Sequence, residues 1–376
     1  MNKEREIQQQ KAVDALFNKW NKSSGVFRAM IKATMRFGKS KVVLDFLKKT
    51  GVENYYKNVY IIVPKVINVE SWKTERNKWF PELKITVLNY KSIFRMENPS
   101  FVIFDEIHNF TINQYNKIKN TLKGIDIIAI TATLPREQEK KDILKELDLD
   151  IVYKINLETS IDLKIVNNFE INVIYSKLST NLDIRVKTGK YDFTTSETKS
   201  YRYLTKAIAK TPTMLKRLNR SRFLYTLKSK TEVTKKLLKL FKKDKKIIIF
   251  TKSIDIAKEL CENTIHSKNN NNDNILRQFI NNDINKISTV NMLNEGVTIP
   301  DIDTVIIESF DSNSNNLLQR IGRSLQYKKD KIVKVIIMVT KDTIEEKWLE
   351  LIIPNVKVTY YNYNYGKFIK KQQNGN

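Results

Sequence analysis

The feature that most constrains this chain is a repeated alternation of short apolar runs with longer amphipathic stretches. Val26 to Ala33, Val59 to Val63, Ile85 to Leu88, Phe101 to Phe104 and Ile127 to Ile130 are apolar runs of strand length. A run so short and so continuously apolar suits a strand covered on both faces, and parallel strands need crossover helices between them. The pattern returns at Ile171 to Tyr175, Ile247 to Phe250, Lys286 to Val290, Thr304 to Ile307 and Val333 to Val339, with helical stretches such as Ile254 to Leu260 between. The expected class is α/β, in two units that each hold a mostly parallel sheet flanked by helices; 376 residues suffice for two cores.

Charge narrows the class of partner. The chain has 67 Lys and Arg against 41 Asp and Glu, a formal net charge of +26. Such an excess favours a polyanion, because each phosphate neutralised releases condensed counterions, and nucleic acid is the leading partner. An anionic membrane would attract the same charge, but no apolar run approaches the roughly 18 residues of a spanning helix. The start, Met1-Asn2-Lys3-Glu4-Arg5-Glu6, lacks the apolar stretch of a secretory signal. A cytoplasmic protein without a membrane partner is expected, in the host cytoplasm if the chain is phage-encoded. Cys261 stands alone, which excludes an internal disulfide and a cysteine-built zinc site, and with only His108 and His266 a histidine-built metal centre is not expected.

Between the two sets of runs, Leu178 to Lys199 is polar and reads as a loop or irregular insertion. Thr231 to Lys246 sets Val233, Leu237, Leu240 and Phe241 near one face and lysines on the other, which favours a solvated helix on the second sheet over a DNA-binding helix. The patch Asn269 to Asn274 reads as a surface loop. Tyr360 to Lys371 interleaves aromatics with lysines, which suits either base stacking or a tail strand closing the second sheet before a frayed end. The expected boundaries are residues 1–155, residues 156–350 and a basic aromatic tail, residues 351–376.

Four segments then stand out in order: Ala33-Thr34-Met35-Arg36-Phe37-Gly38-Lys39-Ser40, Phe104-Asp105-Glu106-Ile107-His108, Thr131-Ala132-Thr133 and Gln319-Arg320-Ile321-Gly322-Arg323. A strand ending at Ala33, a turn and a helix from about Lys39 give the setting of a phosphate loop. Backbone N–H groups would face the phosphates, Lys39 would add a point charge, and the Ser40 hydroxyl could bind Mg2+. Ala33 stands where such loops usually begin with glycine. Asp105 and Glu106 follow a buried strand at its carboxyl end, where parallel sheets bind ligands. Asp105 would hold Mg2+ and Glu106 would orient and deprotonate a water, although two acids there also suit a loop or helix cap. His108 by itself is equally a packed histidine. Together the segments supply what a nucleoside triphosphatase needs: a phosphate cradle, a magnesium carboxylate, a base and a distant arginine.

From Gln9 to Arg323 these residues resemble the superfamily 2 helicases and translocases of the DExH type. Gln9 to Val13 looks like the glutamine motif that reads adenine, Ala33 to Ser40 is similar to motif I, and Val63-Pro64-Lys65 leading to Trp72 looks like motif Ia. Asp105 to His108 resembles motif II and Thr131 to Thr133 motif III, so His108, Thr131 and Thr133 would couple hydrolysis to strand movement. Ile249 to Lys252 is similar to motif IV, Thr289 to Pro300 to motif V and Gln319 to Arg323 to motif VI. Three of the 9 glycines, Gly38, Gly296 and Gly322, fall inside these motifs.

The resemblance implies two tandem RecA-like lobes with the ATP site in the interlobe cleft. ATP would be contacted by Gln9, Thr34, Met35, Arg36, Phe37, Gly38, Lys39, Ser40, Glu295 and Gly296, with Mg2+ at Ser40 and Asp105. Catalysis would fall to Lys39, Glu106, Gln319, Arg320 and Arg323. The family commonly has a further arginine where this chain has Gln326, so Arg323 would carry most of the charge neutralisation, and slow basal hydrolysis with strong dependence on nucleic acid is expected. The polymer would be gripped near Pro64, Lys65, Asn89, Tyr90, Thr251, Lys252 and Thr289, mostly through phosphate contacts. The Met35-Arg36 form of motif I and the Glu295 to Pro300 form of motif V look more like the DNA-acting branch, which includes phage recombination, restriction-type and repair helicases. A DNA helicase or duplex translocase is therefore expected, acting as a monomer with an accessory protein for specificity. An RNA helicase and a nucleic-acid-binding subunit with a weak or vestigial ATPase are the alternatives.

Overall fold

The first set of apolar runs forms one six-stranded sheet. The computed structural model describes residues 3–64, 66–135, 137–188, 191–242, 244–290, 299–312, 331–352 and 358–361. Strands β1 (Arg28–Ala33), β2 (Val59–Val63), β3 (Thr86–Asn89), β4 (Phe101–Asp105), β5 (Asp126–Thr131) and β6 (Asp150–Ile155) lie in the order β3-β2-β4-β5-β1-β6. Every pairing is parallel. All five residues of β2 are buried, as a strand covered on both faces requires. On one side Phe27 stacks on Phe46 at 5.6 Å, and Trp20 of helix α1 (Lys3–Lys22) meets both edge-on. On the other, Phe104 stacks with Tyr90 and Phe110.

β6 is absent from the expected strands. It pairs with β1 alone and leaves Asp150, Ile151 and Lys154 exposed, so an edge position hides the apolar signature of a central strand. At the other end of the same pairing, β1 starts at Arg28 and Val26 is exposed.

The chain divides into Met1–Asn167 and Asn168–Asn376. The helix Leu157–Asp162 falls in the first unit, where Ser160 is buried against Thr34. In the second unit, β7 (Asn168–Ser176) is followed by β8 (Ile184–Thr188) and β9 (Tyr191–Thr195), which pair antiparallel with each other. Strands β10 (Ile247–Thr251), β11 (Thr264–Ile265), β12 (Lys286–Val290), β13 (Thr304–Ile307), β14 (Ile332–Thr340) and β15 (Val358–Tyr361) join β7 in a parallel sheet of order β11-β12-β10-β13-β14-β7-β15.

Several expectations change here. The stretch Leu178 to Lys199, expected to be irregular, is a hairpin followed by the start of the helix Glu197–Lys210, which Ser196 caps by accepting from Lys199 N–H at 3.3 Å. The alternation of Ile184 and Val186 with Arg185 and Lys187 is the period of a strand, but it is too short and polar to stand out. Arg185 fixes the register with two bonds to Asp192, at 2.9 and 2.6 Å. The expected helix from Thr231 is Lys228–Leu238, and Asn272 opens the helix Asn272–Asn281 rather than continuing a loop. In the tail, Val358–Tyr361 closes the sheet against β7; the remaining tail residues, 362–376, lie outside the described residues. Among the described residues no helix is long and apolar enough to cross a membrane.

Candidate active site

At the carboxyl end of β1 the chain turns through Thr34 to Gly38 and enters helix α2 (Lys39–Thr50). Arg36 and Gly38 take left-handed backbone, at φ 67° and 90°. At Gly38 the positive φ strains any other residue, and a Cβ, 2.3 Å from Gln9 Nε2, would push that amide aside. That amide is buried and donates to the Phe37 carbonyl at 2.6 Å. Phe37 stacks on Tyr153 of β6 at 5.7 Å, and the Thr34 hydroxyl lies 2.9 Å from that of Ser160. The turn is thus held from three sides. Gly38 has no side chain to cap the first turn of α2, so its N–H groups and the positive end of the helix dipole are left for an anion. Met35 and Ser40 are half-buried beside it. Burial, with the Arg5 charge, lowers the Arg36 guanidinium to about 10, a penalty that an anion would offset.

Asp105 ends β4, and Glu106 follows in a left-handed conformation at φ 48°. Lys39 Nζ lies 3.2 Å from Glu106 Oε1 and 3.4 Å from the Ala33 carbonyl, folded over the loop. The second carboxylate oxygen of Glu106 accepts from Ala132 N–H at 3.2 Å and lies 3.2 Å from the Thr131 hydroxyl. Asp105 accepts from the Trp72 indole at 2.8 Å.

Two neighbouring carboxylates in one enclosure are driven apart in acidity. Burial and the Glu106 charge raise Asp105 to about 7, against the Trp72 bond and Lys39. Burial also works upward on Glu106, but Lys39, His108 and the Ala132 N–H outweigh it and hold Glu106 below the usual carboxylate value. Glu106 is thereby kept ionised, as a base must be, while Asp105 is a carboxylate that a divalent cation would suit. The oxygen donors of Asp105 and Ser40 fit magnesium. Among the described residues no cluster of three His, Cys, Asp or Glu could hold a metal, so such a cation would draw its other ligands from phosphate and water.

His108 is buried, with Nδ1 3.0 Å from the Thr131 hydroxyl and 3.4 Å from Glu106, and Nε2 3.3 Å from Asn109 Nδ2. Burial, aided by Lys140 and Lys39, lowers its pKa despite Glu106. Asn109 donates to Nε2, so the proton sits on Nδ1 and points to Thr131 and Glu106. The Thr131 hydroxyl lies 2.7 Å from the Thr133 carbonyl and accepts from Thr133 N–H at 3.2 Å. Glu106, His108, Thr131 and Thr133 therefore form one connected network.

The other expected positions divide. Tyr90 is buried and its hydroxyl donates to the Asp105 carbonyl at 3.1 Å, so its side chain supports the site from below. Asn89 caps the turn after β3, accepting from Lys91 and Ser92 N–H, and Pro64 is half-buried. Thr251 and Thr289 have no exposed surface, and Lys252 pairs with Asp311 at 2.8 Å. Lys65, Glu295, Gly296, Gln319, Arg320, Arg323 and Gln326 lie outside the described residues. Trp72 as a partner of Asp105, Ser160, Tyr153 and the Ala132 N–H were missed as site residues. The cap of helix Leu157–Asp162, where Asn156 accepts from Thr159 N–H, was the one legible hint of Ser160's setting.

Comparison with known proteins bears on this geometry. Residues 229–328 match the family described as helicase conserved C-terminal domain. Over 354 residues the chain is 25% identical to the DNA 3'-5' translocase XPB2 of Sulfurisphaera tokodaii, spanning 85% of this chain and 79% of that protein. These matches support a superfamily 2 helicase. The Hef helicase domain of Pyrococcus furiosus superposes with a TM-score of 0.52 at 16% identity, covering 92% of this chain and 96% of that one. S. cerevisiae Dbp5 bound to RNA and ADP BeF3 superposes with a TM-score of 0.62 at 13% identity, covering 98% and 92%. At such identities the structures speak for the fold: two parallel-sheet α/β lobes of the RecA-like kind.

Proposed function

We propose that this protein is a DExH-type ATPase that moves on or remodels DNA, as a helicase or duplex translocase. The observation that carries the reading is Lys39 held 3.2 Å from Glu106, beside Asp105, at the uncapped first turn of α2. The DNA 3'-5' translocase relative favours DNA over RNA.

In this reading the loop residues Thr34 to Ser40 bind the ATP phosphates through backbone N–H groups and Lys39. Magnesium, held by Ser40 and Asp105, would neutralise charge on those phosphates. Lys39 has two anionic partners to serve. When it turns to a phosphate, Glu106 loses its nearest cation and its pKa rises toward that of an effective base for water. The bonds from Ala132 and Thr131 keep the carboxylate oriented during that exchange, and the same Thr131 carries the change to Thr133. By resemblance, Arg323 with Arg320 would neutralise charge developing on the γ-phosphate. The test is ATP hydrolysis by wild type and Glu106→Gln with single-stranded, duplex and forked DNA and with RNA. DNA-stimulated turnover lost in the variant supports the proposal; equal, unstimulated rates with every polymer overturn it.

A further inference from the structure

Residues 177–227, between β7 and the helix Lys228–Leu238, hold twelve Lys and Arg against three Asp and Glu. None of the motif segments falls in this stretch, yet it builds one wall of a cavity of about 420 Å³. The helix Glu197–Lys210 turns Thr198, Tyr201, Arg202 and Lys206 toward it, positions three and four apart and so on one face. Lys177, Lys341 and Asp342 line the other side. β7 and β14 are adjacent and parallel, with Ser176 paired to Thr340, so Lys177 and Lys341 leave the sheet side by side at its carboxyl edge, where parallel sheets place ligands.

Four cations to one carboxylate give the cavity lining an excess of positive charge, which attracts an anion. The wall is set before any ligand arrives. Glu197 is buried and accepts from Ser179 N–H at 2.8 Å and Ser229 N–H at 3.1 Å, tying both ends of the insertion to one helix. Tyr201 accepts from Ile344 N–H at 2.7 Å, which fixes the helix against the helix Ile344–Ile352, and the residue is buried. What the cavity presents is positive charge, the chemistry of phosphate recognition.

We infer that this cavity grips the phosphodiester backbone of a nucleic-acid strand, with Arg202 and Lys206 on one side of the strand and Lys177 and Lys341 on the other. The inference rests on the proposal that the protein works on nucleic acid and adds a second place of grip.

The test is binding of fluorescent single-stranded and duplex DNA without ATP, across a salt titration, for wild type, Arg202→Ala/Lys206→Ala and Arg202→Lys. Both side chains are exposed, so the fold should tolerate the changes, and basal ATP hydrolysis checks that. The double variant should bind about tenfold more weakly, and the slope of log K against log salt should flatten by about 1.5, two phosphate contacts' worth. Arg202→Lys should recover most of the affinity, and DNA saturating the double variant should restore full stimulated turnover. Unchanged affinity and slope overturn the inference, as does competition by inorganic phosphate with DNA binding unmoved by the substitutions. Binding is read without ATP, so a protein that binds DNA through Arg202 yet hydrolyses nothing fails the motor proposal alone. One whose turnover is stimulated but whose binding ignores Arg202 and Lys206 fails this inference alone.

Discussion

Each of the two units gathers lysine and glutamate at the carboxyl ends of its strands, but the first leaves the cluster open and the second seals it. In the first, Lys39 and Glu106 keep 11% and 15% of their side-chain surface and sit at the start of a helix and the end of a strand. In the second, Lys230 meets Glu345 at 2.7 Å with neither side chain exposed, Glu345 also accepts from Thr340 N–H, and the fully buried Glu308 stands nearby with Ser309 bonded to it. An open pair can exchange its partner for a ligand. A sealed pair is fixed by the packing around it, and losing one member strands the other in a medium that cannot solvate it. The same residue types therefore make an exchangeable pair in one unit and a structural tie in the other.

The contrast can be broken in four ways. The largest effect is expected from Glu106→Gln, which should lower DNA-stimulated ATP hydrolysis by about 10²- to 10⁴-fold, the usual contribution of a general base, while thermal unfolding moves little. A large fall in melting temperature with turnover retained would place Glu106 with the sealed kind. Lys230→Met should do the reverse, destabilising the second unit by about 3–5 kcal/mol in denaturant titration by leaving Glu345 buried and uncompensated. A variant as stable as the wild type would show that water reaches that pair.

Glu308→Gln is a smaller probe, and it is read through pH. Burial, with the Glu345 and Glu259 charges and against Lys230 and the Ser309 bond, raises the Glu308 pKa. A carboxyl that holds its proton more tightly when folded favours the fold most below its unfolded pKa of about 4.3, and that contribution is lost as pH rises toward the folded value. Wild type should therefore lose melting temperature relative to Glu308→Gln as pH climbs from acid to neutral; a constant difference would mean that Glu308 is ionised throughout. The smallest effect is expected from Gln9→Ala, about 1 kcal/mol for one buried hydrogen bond, with weaker nucleotide binding because the Phe37 carbonyl is released. Nucleotide affinity equal to wild type would show that the loop keeps its shape without α1.

The strands were legible because burial on both faces forces continuous apolar runs, and β2, β12 and β13 begin and end at the expected residues. β6 and β8 were not, since an edge strand and a solvated hairpin place no such demand on composition. At the site, Lys39, Asp105 and Glu106 could be read in place because loop, strand end and helix start are contiguous in the chain. The expected grip at Tyr90, Thr251 and Thr289 shows the opposite case: each sits at a strand end, as a gripping residue would, but only packing decides whether a side chain there faces solvent or core.

The sequence by itself therefore determined the parallel α/β class and set Lys39 at a helix start and Asp105 and Glu106 at a strand end, because periodicity and local motifs record burial and backbone need along the chain. Tertiary structure alone decided which groups are open and which sealed. Trp72 reaches Asp105 across 33 residues, Ser160 reaches Thr34 across 126 and Glu345 reaches Lys230 across 115. Desolvation raises the Asp105 pKa, and Lys39, His108 and the Ala132 N–H hold that of Glu106 down against the same desolvation; both effects depend on what surrounds a group in space, and that has no address in the sequence.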